Sequence, residues 1–127
     1  MNPPIAEVAQ SNAGVIAVLK TGTGPVRFWP FGRAPQKDKP GYGVPYAVFQ
    51  TAYGAPDNTL SCTPNLDTWG EQVDVYADTP EAARNVARAL RDAFEPVAYV
   101  VSWNGEFVDE ETKLDRFSFT VEFMTPR

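Results

Sequence analysis

Between Trp69 and Phe94 the rhythm of apolar positions changes from two residues to the helical repeat. In the first part Trp69, Val73, Val75 and Ala77 fall on one side of an extended segment, and Gln72, Asp74 and Tyr76 fall on the other. Thr79 can then accept from the free N–H groups of a helix start, and Pro80 suits the first helical position. Ala83, Val86, Ala87, Leu90 and Phe94 make one apolar stripe, with Arg84, Arg88, Arg91 and Asp92 outside it. Glu95-Pro96 ends the helix.

The flanking segments are shorter. Residues 4–19 predict a helix in two pieces, with Ile5, Val8 and Ala9 at helical spacing in the first. Asn12 can cap the second, which turns Val15, Ile16, Val18 and Leu19 inward before Thr21–Pro25 stops it. Val26–Phe31 reads as a short strand that Pro30 confines to an edge. A polar loop, Gly32–Gly43, leads to Pro45–Tyr53, whose nearly continuous apolar character predicts a central strand. A second loop is expected over Gly54–Asp67. Val97, Tyr99, Val101 and Trp103 alternate onto one face, and Asn104-Gly105 predicts a tight hairpin turn with a return through Glu106–Asp109. In the last strand Phe117, Phe119, Val121 and Phe123 point inward, and Arg116, Ser118, Thr120 and Glu122 outward. This order predicts an α+β fold: a mainly antiparallel β-sheet with two helical segments packed on one face.

Composition narrows the function. At 127 residues the chain suits a single domain spanning 1–127, and 43% hydrophobic residues are enough for a core without staples. The net charge of −5 argues against a dedicated nucleic-acid binder, which needs lysine and arginine to neutralise phosphates. There is no histidine, which removes the commonest general base and metal ligand. Cys62 is the single cysteine, so neither an internal disulfide nor a four-cysteine zinc site can form. No N-terminal segment reads as a secretion signal, and no apolar run is long enough to span a membrane.

Candidate chemistry is sparse. Gly22-Thr-Gly24 and Gly41-Tyr-Gly43 lack the Gly-Lys-Ser/Thr of a phosphate loop. Asp109, Glu110, Glu111 and Asp115 lie around an irregular charged segment that reads as a solvated turn. Asp74 and Glu122 sit on outward strand positions, as expected for the wet face of a sheet, rather than as an acid–base pair. Cys62 has no histidine to activate it. Two features could serve contacts, the first equally as a solvated, internally paired helix face and the second alternatively as a cluster at the edge of the domain. Arg84, Arg88 and Arg91 follow one helical face, and Phe28, Trp29 and Phe31 cannot all turn to one side of a strand. The reading is a non-enzymatic assembly subunit with no cofactor and no metal.

Four segments carry a family resemblance: Phe28–Gln36, Pro45–Gln50, Trp69–Phe94, and Ser102-Trp-Asn-Gly105 with the final strand. In this order they resemble the tail completion, or tail terminator, proteins of tailed bacteriophages and prophages. The resemblance implies a virion protein, assembled in the host cytoplasm, that forms a hexameric ring on the head-proximal end of the tail tube. Such a ring stops tube polymerisation and meets the head–tail connector or stopper, and DNA passes its lumen without specific binding. Implied partners are further copies of the chain, the tube protein and the connector, with no membrane. Candidate subunit or tube contacts are Phe28, Trp29, Phe31, Arg33, Lys37, Lys39, Asp57, Asn58, Asp67, Arg84, Arg88 and Arg91. Gln72, Asp74, Tyr76, Arg116, Thr120 and Glu122 form the expected exposed sheet face. Competing readings are a head-completion or stopper protein of the neck and a small-ligand-binding α+β domain.

Overall fold

The computed structural model describes residues 2–57 and 65–127. Its elements are α1 (Ile5–Ser11), α2 (Ala13–Leu19), β1 (Phe28–Trp29), a 3₁₀ turn (Pro30–Gly32), β2 (Tyr46–Pro56), β3 (Leu66–Ala77), α3 (Pro80–Phe94), β4 (Tyr99–Val108) and β5 (Asp115–Pro126). The strands form one sheet in the order β1-β2-β3-β5-β4. Only the short β1–β2 pairing is parallel. The fold is α+β, as the pattern predicts.

The helices cover one face. Asn12 breaks the N-terminal segment and caps α2, accepting from the Val15 N–H at 3.1 Å. Thr79 caps α3, accepting from the Ala82 N–H at 3.1 Å, and Pro80 follows at the first position. Leu90 and Phe94 of α3, Val15 and Leu19 of α2, and Ile5 of α1 pack into one cluster with Val73, Val75, Phe119, Val121 and Phe123. Phe94 meets Phe123 edge-on at 5.9 Å between ring centres. Each such buried ring stabilises the fold by about 1.5–3 kcal/mol.

Three expectations change. First, Asn104 and Gly105 do not turn the chain but lie inside β4. Gly105 has φ 120° at an irregularity in the register with β5. Glycine adopts positive φ freely, so the dipeptide serves a type I′ turn or an irregular strand position such as this one. The Asn104 amide donates to Thr120 Oγ1 at 2.9 Å and holds the bulge. The turn comes at Asp109–Leu114, so the described residues form five strands, not six. Second, a further irregularity between Val100 and Ser102 breaks the alternation of β4. Val100 packs against the core, while Tyr99, Val101 and Trp103 are all exposed. Third, both ends of the expected Gly54–Asp67 loop are strand. β2 runs to Pro56 and β3 starts at Leu66. Asn58 and Cys62 lie outside the described residues.

β2 is central only in its first part. β1 pairs with Ala47 and Val48 and then ends, so the rest of β2 is a sheet edge. Two aromatic-on-glycine contacts brace that extension. The Trp69 ring lies over Gly54, where a Cβ would come within 2.8 Å of it, and the Tyr53 ring lies over Gly70. Tyr53 also donates to Glu122 Oε2 at 2.7 Å. Gly70→Ala therefore displaces Tyr53 and lowers stability by about 1–2 kcal/mol. Urea unfolding checks this: combined with Tyr53→Ala the substitution costs less than the sum of the two single changes.

Candidate interaction site

The face of the sheet opposite the helices is built from Tyr46, Val48, Gln72, Asp74, Tyr76, Arg116, Ser118, Thr120 and Glu122, which the pairing register places side by side. The Gly32–Gly43 loop folds over its β2 side and the Asp109–Leu114 turn over the other. Between them lies a trough of about 560 Å³, lined among others by Lys37, Tyr42, Tyr46, Tyr76, Asp109 and Glu111. Tyr46 stacks on Tyr76 at 5.0 Å and meets Tyr42 at 6.1 Å. Burial, with Tyr76 and Tyr42 beside it, pushes the Tyr46 phenol up to about 12. The phenol is therefore neutral at physiological pH and presents a hydrogen-bonding hydroxyl.

Arg116 organises this face. Its guanidinium pairs with Asp74 at 3.2 Å and Asp109 at 3.6 Å, and lies over the rings of Phe107 and Tyr76 at 5.0 and 5.4 Å. Burial pulls its pKa down, but the two carboxylates outweigh this and hold it above the ordinary value. Gln72 donates to Asp74 at 3.2 Å. Asp109 accepts from the Thr112 N–H and hydroxyl at 2.9 and 2.8 Å, and the N–H is the main cause holding its carboxyl below the usual range.

The candidate residues separate into groups. Phe28 is a correction: strand alternation turns it inward, where it stacks on Phe49 at 4.6 Å and is closed to any partner. Trp29 is half-buried and Phe31 is 81% exposed. Arg33, Lys37 and Lys39 are exposed on the first loop. Asp57 is exposed and accepts from Thr68, whereas Asp67 is buried beside Arg127 and is no open contact. Asp74 is also a correction, because Arg116 and Gln72 cover it and leave it 4% exposed. Gln72, Tyr76, Arg116, Thr120 and Glu122 are partly open. Asp74 and Glu122 engage different partners, Arg116 and Tyr53, and do not converge. Among the described residues no group of three histidines, cysteines or acids could hold a metal ion. No helix among them is long and apolar enough to cross a membrane.

Two features were missed from the sequence. One is the edge strand β4, which exposes Tyr99, Val101, Trp103, Phe107 and Val108. The pattern hid it, because alternation does not show that the strand lies at the edge of the sheet, where both of its faces stay open. The other is Glu71, 2% exposed on the helix-bearing face of β3. Its signal was available: it shares the inward parity of Val73 and Val75.

A family model described as tail completion protein gp17 matches residues 10–126. Among solved structures, a chain of the virion of a native gene transfer agent particle superposes with a TM-score of 0.66 at 12% identity, covering 97% of this chain and 92% of that one. The bacteriophage SPP1 gp17 protein superposes with a TM-score of 0.52 at 17% identity, covering 95% and 85%. At these identities the likeness is one of fold. A comparison with curated proteins gives no sequence match.

Two outcomes follow from the site. Arg116→Met strands Asp74 and costs about 3 kcal/mol, most of which Asp74→Asn in the same chain recovers, as measured by urea unfolding. The Asp109 carboxyl is held below its ordinary 3.8 in the folded state. Its contribution to stability is therefore full above that value and is lost as pH falls through the folded value. Asp109→Asn removes this component, so the stabilities of the two proteins converge in acid and separate toward neutrality.

Proposed function

The chain belongs to the tail completion protein gp17 family, and from that premise we propose that it is a structural, non-enzymatic subunit of a phage-type virion that terminates the tail. In this reading six copies close into a ring on the head-proximal end of the tail tube. The ring stops tube growth, meets the head connector, and lets DNA pass through its lumen. Assembly takes place in the host cytoplasm. The observation that carries the reading is the family match over residues 10–126.

Physical features support it. β4 is a ten-residue edge strand with large apolar side chains in solvent, and such an edge calls for a neighbour. The other open edge, the second half of β2, lies at the opposite side of the sheet. A contact from one edge to the other is heterologous, and heterologous contacts form rings when their rotation closes. A net charge of −5 keeps a passing polyanion from adhering. The Gly32–Gly43 loop and the trough beneath it offer a surface for the tube or the connector.

The test is polymerisation of purified tube protein with and without substoichiometric amounts of this chain, with lengths measured by negative-stain microscopy. Added chain shortens the tubes and caps one end. Unchanged lengths with no capped ends contradict termination.

A further inference from the structure

A second pocket lies on the helix-bearing side, where β1 stops and the edge of β2 opens. It has a volume of about 300 Å³, and Ile5, Glu7, Phe31, Phe49, Gln50 and Glu71 are among its walls. Glu71 is 2% exposed, and its Oε2 is buried without a hydrogen-bond partner among the described residues. Thr51 bonds to the carboxylate from the neighbouring strand. A buried carboxylate with an idle oxygen is expensive unless a cation or donor reaches it. Among the described residues the pocket brings two carboxylates and no basic side chain. Its rim is the Phe31 ring, 81% exposed on a residue at φ 59°, a conformation uncommon outside glycine. Apolar walls, an aromatic rim and a carboxylate at the base fit the stem and head of an arginine.

We propose that this pocket is the socket for Arg88 of a second copy of the chain. The inference rests on the ring reading and names a contact within it. Of the three arginines on α3, Arg84 pairs with Glu106 at 2.6 Å, and Arg91 pairs with Asp92 at 2.9 Å and Glu95 at 3.6 Å. Arg88 is exposed and has no carboxylate partner among the described residues; it bonds only to Asn85, at 3.3 Å. The Arg84 bridge to Glu106 of β4 places the start of this arginine stripe toward the β4 side of the sheet. Socket and arginine thus lie on the same helix-bearing side of the sheet: the socket reaches Glu71 of the central strand from the open β2 side, and α3 carries Arg88 over β3 and β5, with Arg84 reaching β4. A head-to-tail contact joins them, and the exposed Trp103 and Val101 of β4 supply apolar area beside the ion pair. Glu71 then costs the isolated subunit stability and is matched in the assembly.

Native mass spectrometry of the full chain, free and with tube protein, tests this together with thermal unfolding. Arg88→Glu weakens subunit association about tenfold or more with the fold intact. Glu71→Gln raises the unfolding temperature of the subunit yet weakens association, a split that a purely structural carboxylate does not give. Glu71→Gln combined with Arg88→Gln associates no more weakly than the worse single variant. Rings of unchanged affinity in Arg88→Glu and Glu71→Gln overturn the socket and leave the ring standing. A wild-type chain that stays monomeric, even with tube protein, removes the ring and the socket with it.

Discussion

Phe94 and Leu90 of α3 press onto Val73, Phe119 and Phe123, and every other feature of the molecule is arranged around that one-sided seal. The three α-helices of the described residues, two of them only seven residues long, can cover one face of a five-stranded sheet. They cannot cover the second face or both edges. The remaining backbone and side chains must find partners in loops, in each other, or in other molecules.

The uncovered face settles this with polar chemistry. Arg116 neutralises Asp74, leans on two rings and ties the Asp109 turn to the sheet. The Gly32–Gly43 loop roofs the β2 side and leaves a trough. The edges are different. β4 keeps large apolar side chains in solvent, and the pocket that opens beside β1 and β2 holds a β3 carboxylate with an idle oxygen. An isolated domain gains nothing from either feature, whereas a subunit whose edges meet gains from both. That is why the physical support for the assembly reading lies in the edges rather than in the trough.

The locally encoded parts of this structure are readable from the sequence. Thr79-Pro80, the α3 stripe, the Asn12 break and the alternation of β5 each need only neighbours within a few positions. What depends on distant strands is not. Asn104-Gly105 satisfies a turn and a bulge equally, and only the register with β5 decides between them. The reach of β2 and β3 beyond the helices depends on rings seated on Gly54 and Gly70 across the pair. Asp74 reads as an outward residue, and is outward, yet Arg116 closes it off. Of the candidate contacts, the α3 arginines and Phe31 stay exposed or partly so, whereas Phe28, Asp67 and Asp74 are closed off. Glu71 breaks the inward apolar series, but its idle oxygen shows only once the strands are assembled.

Family membership and the open sheet edges meet in the proposal that copies of this chain close a ring at the end of a tail. The most direct measurement is a reconstruction of the assembled particle at a resolution that traces strands. The account predicts six copies closed at the head-proximal end of the tube, each setting its β4 edge and Arg88 against the Glu71 side of the next. Density for this chain along the tube shaft, at the distal tip, or as isolated copies without edge contacts would contradict it.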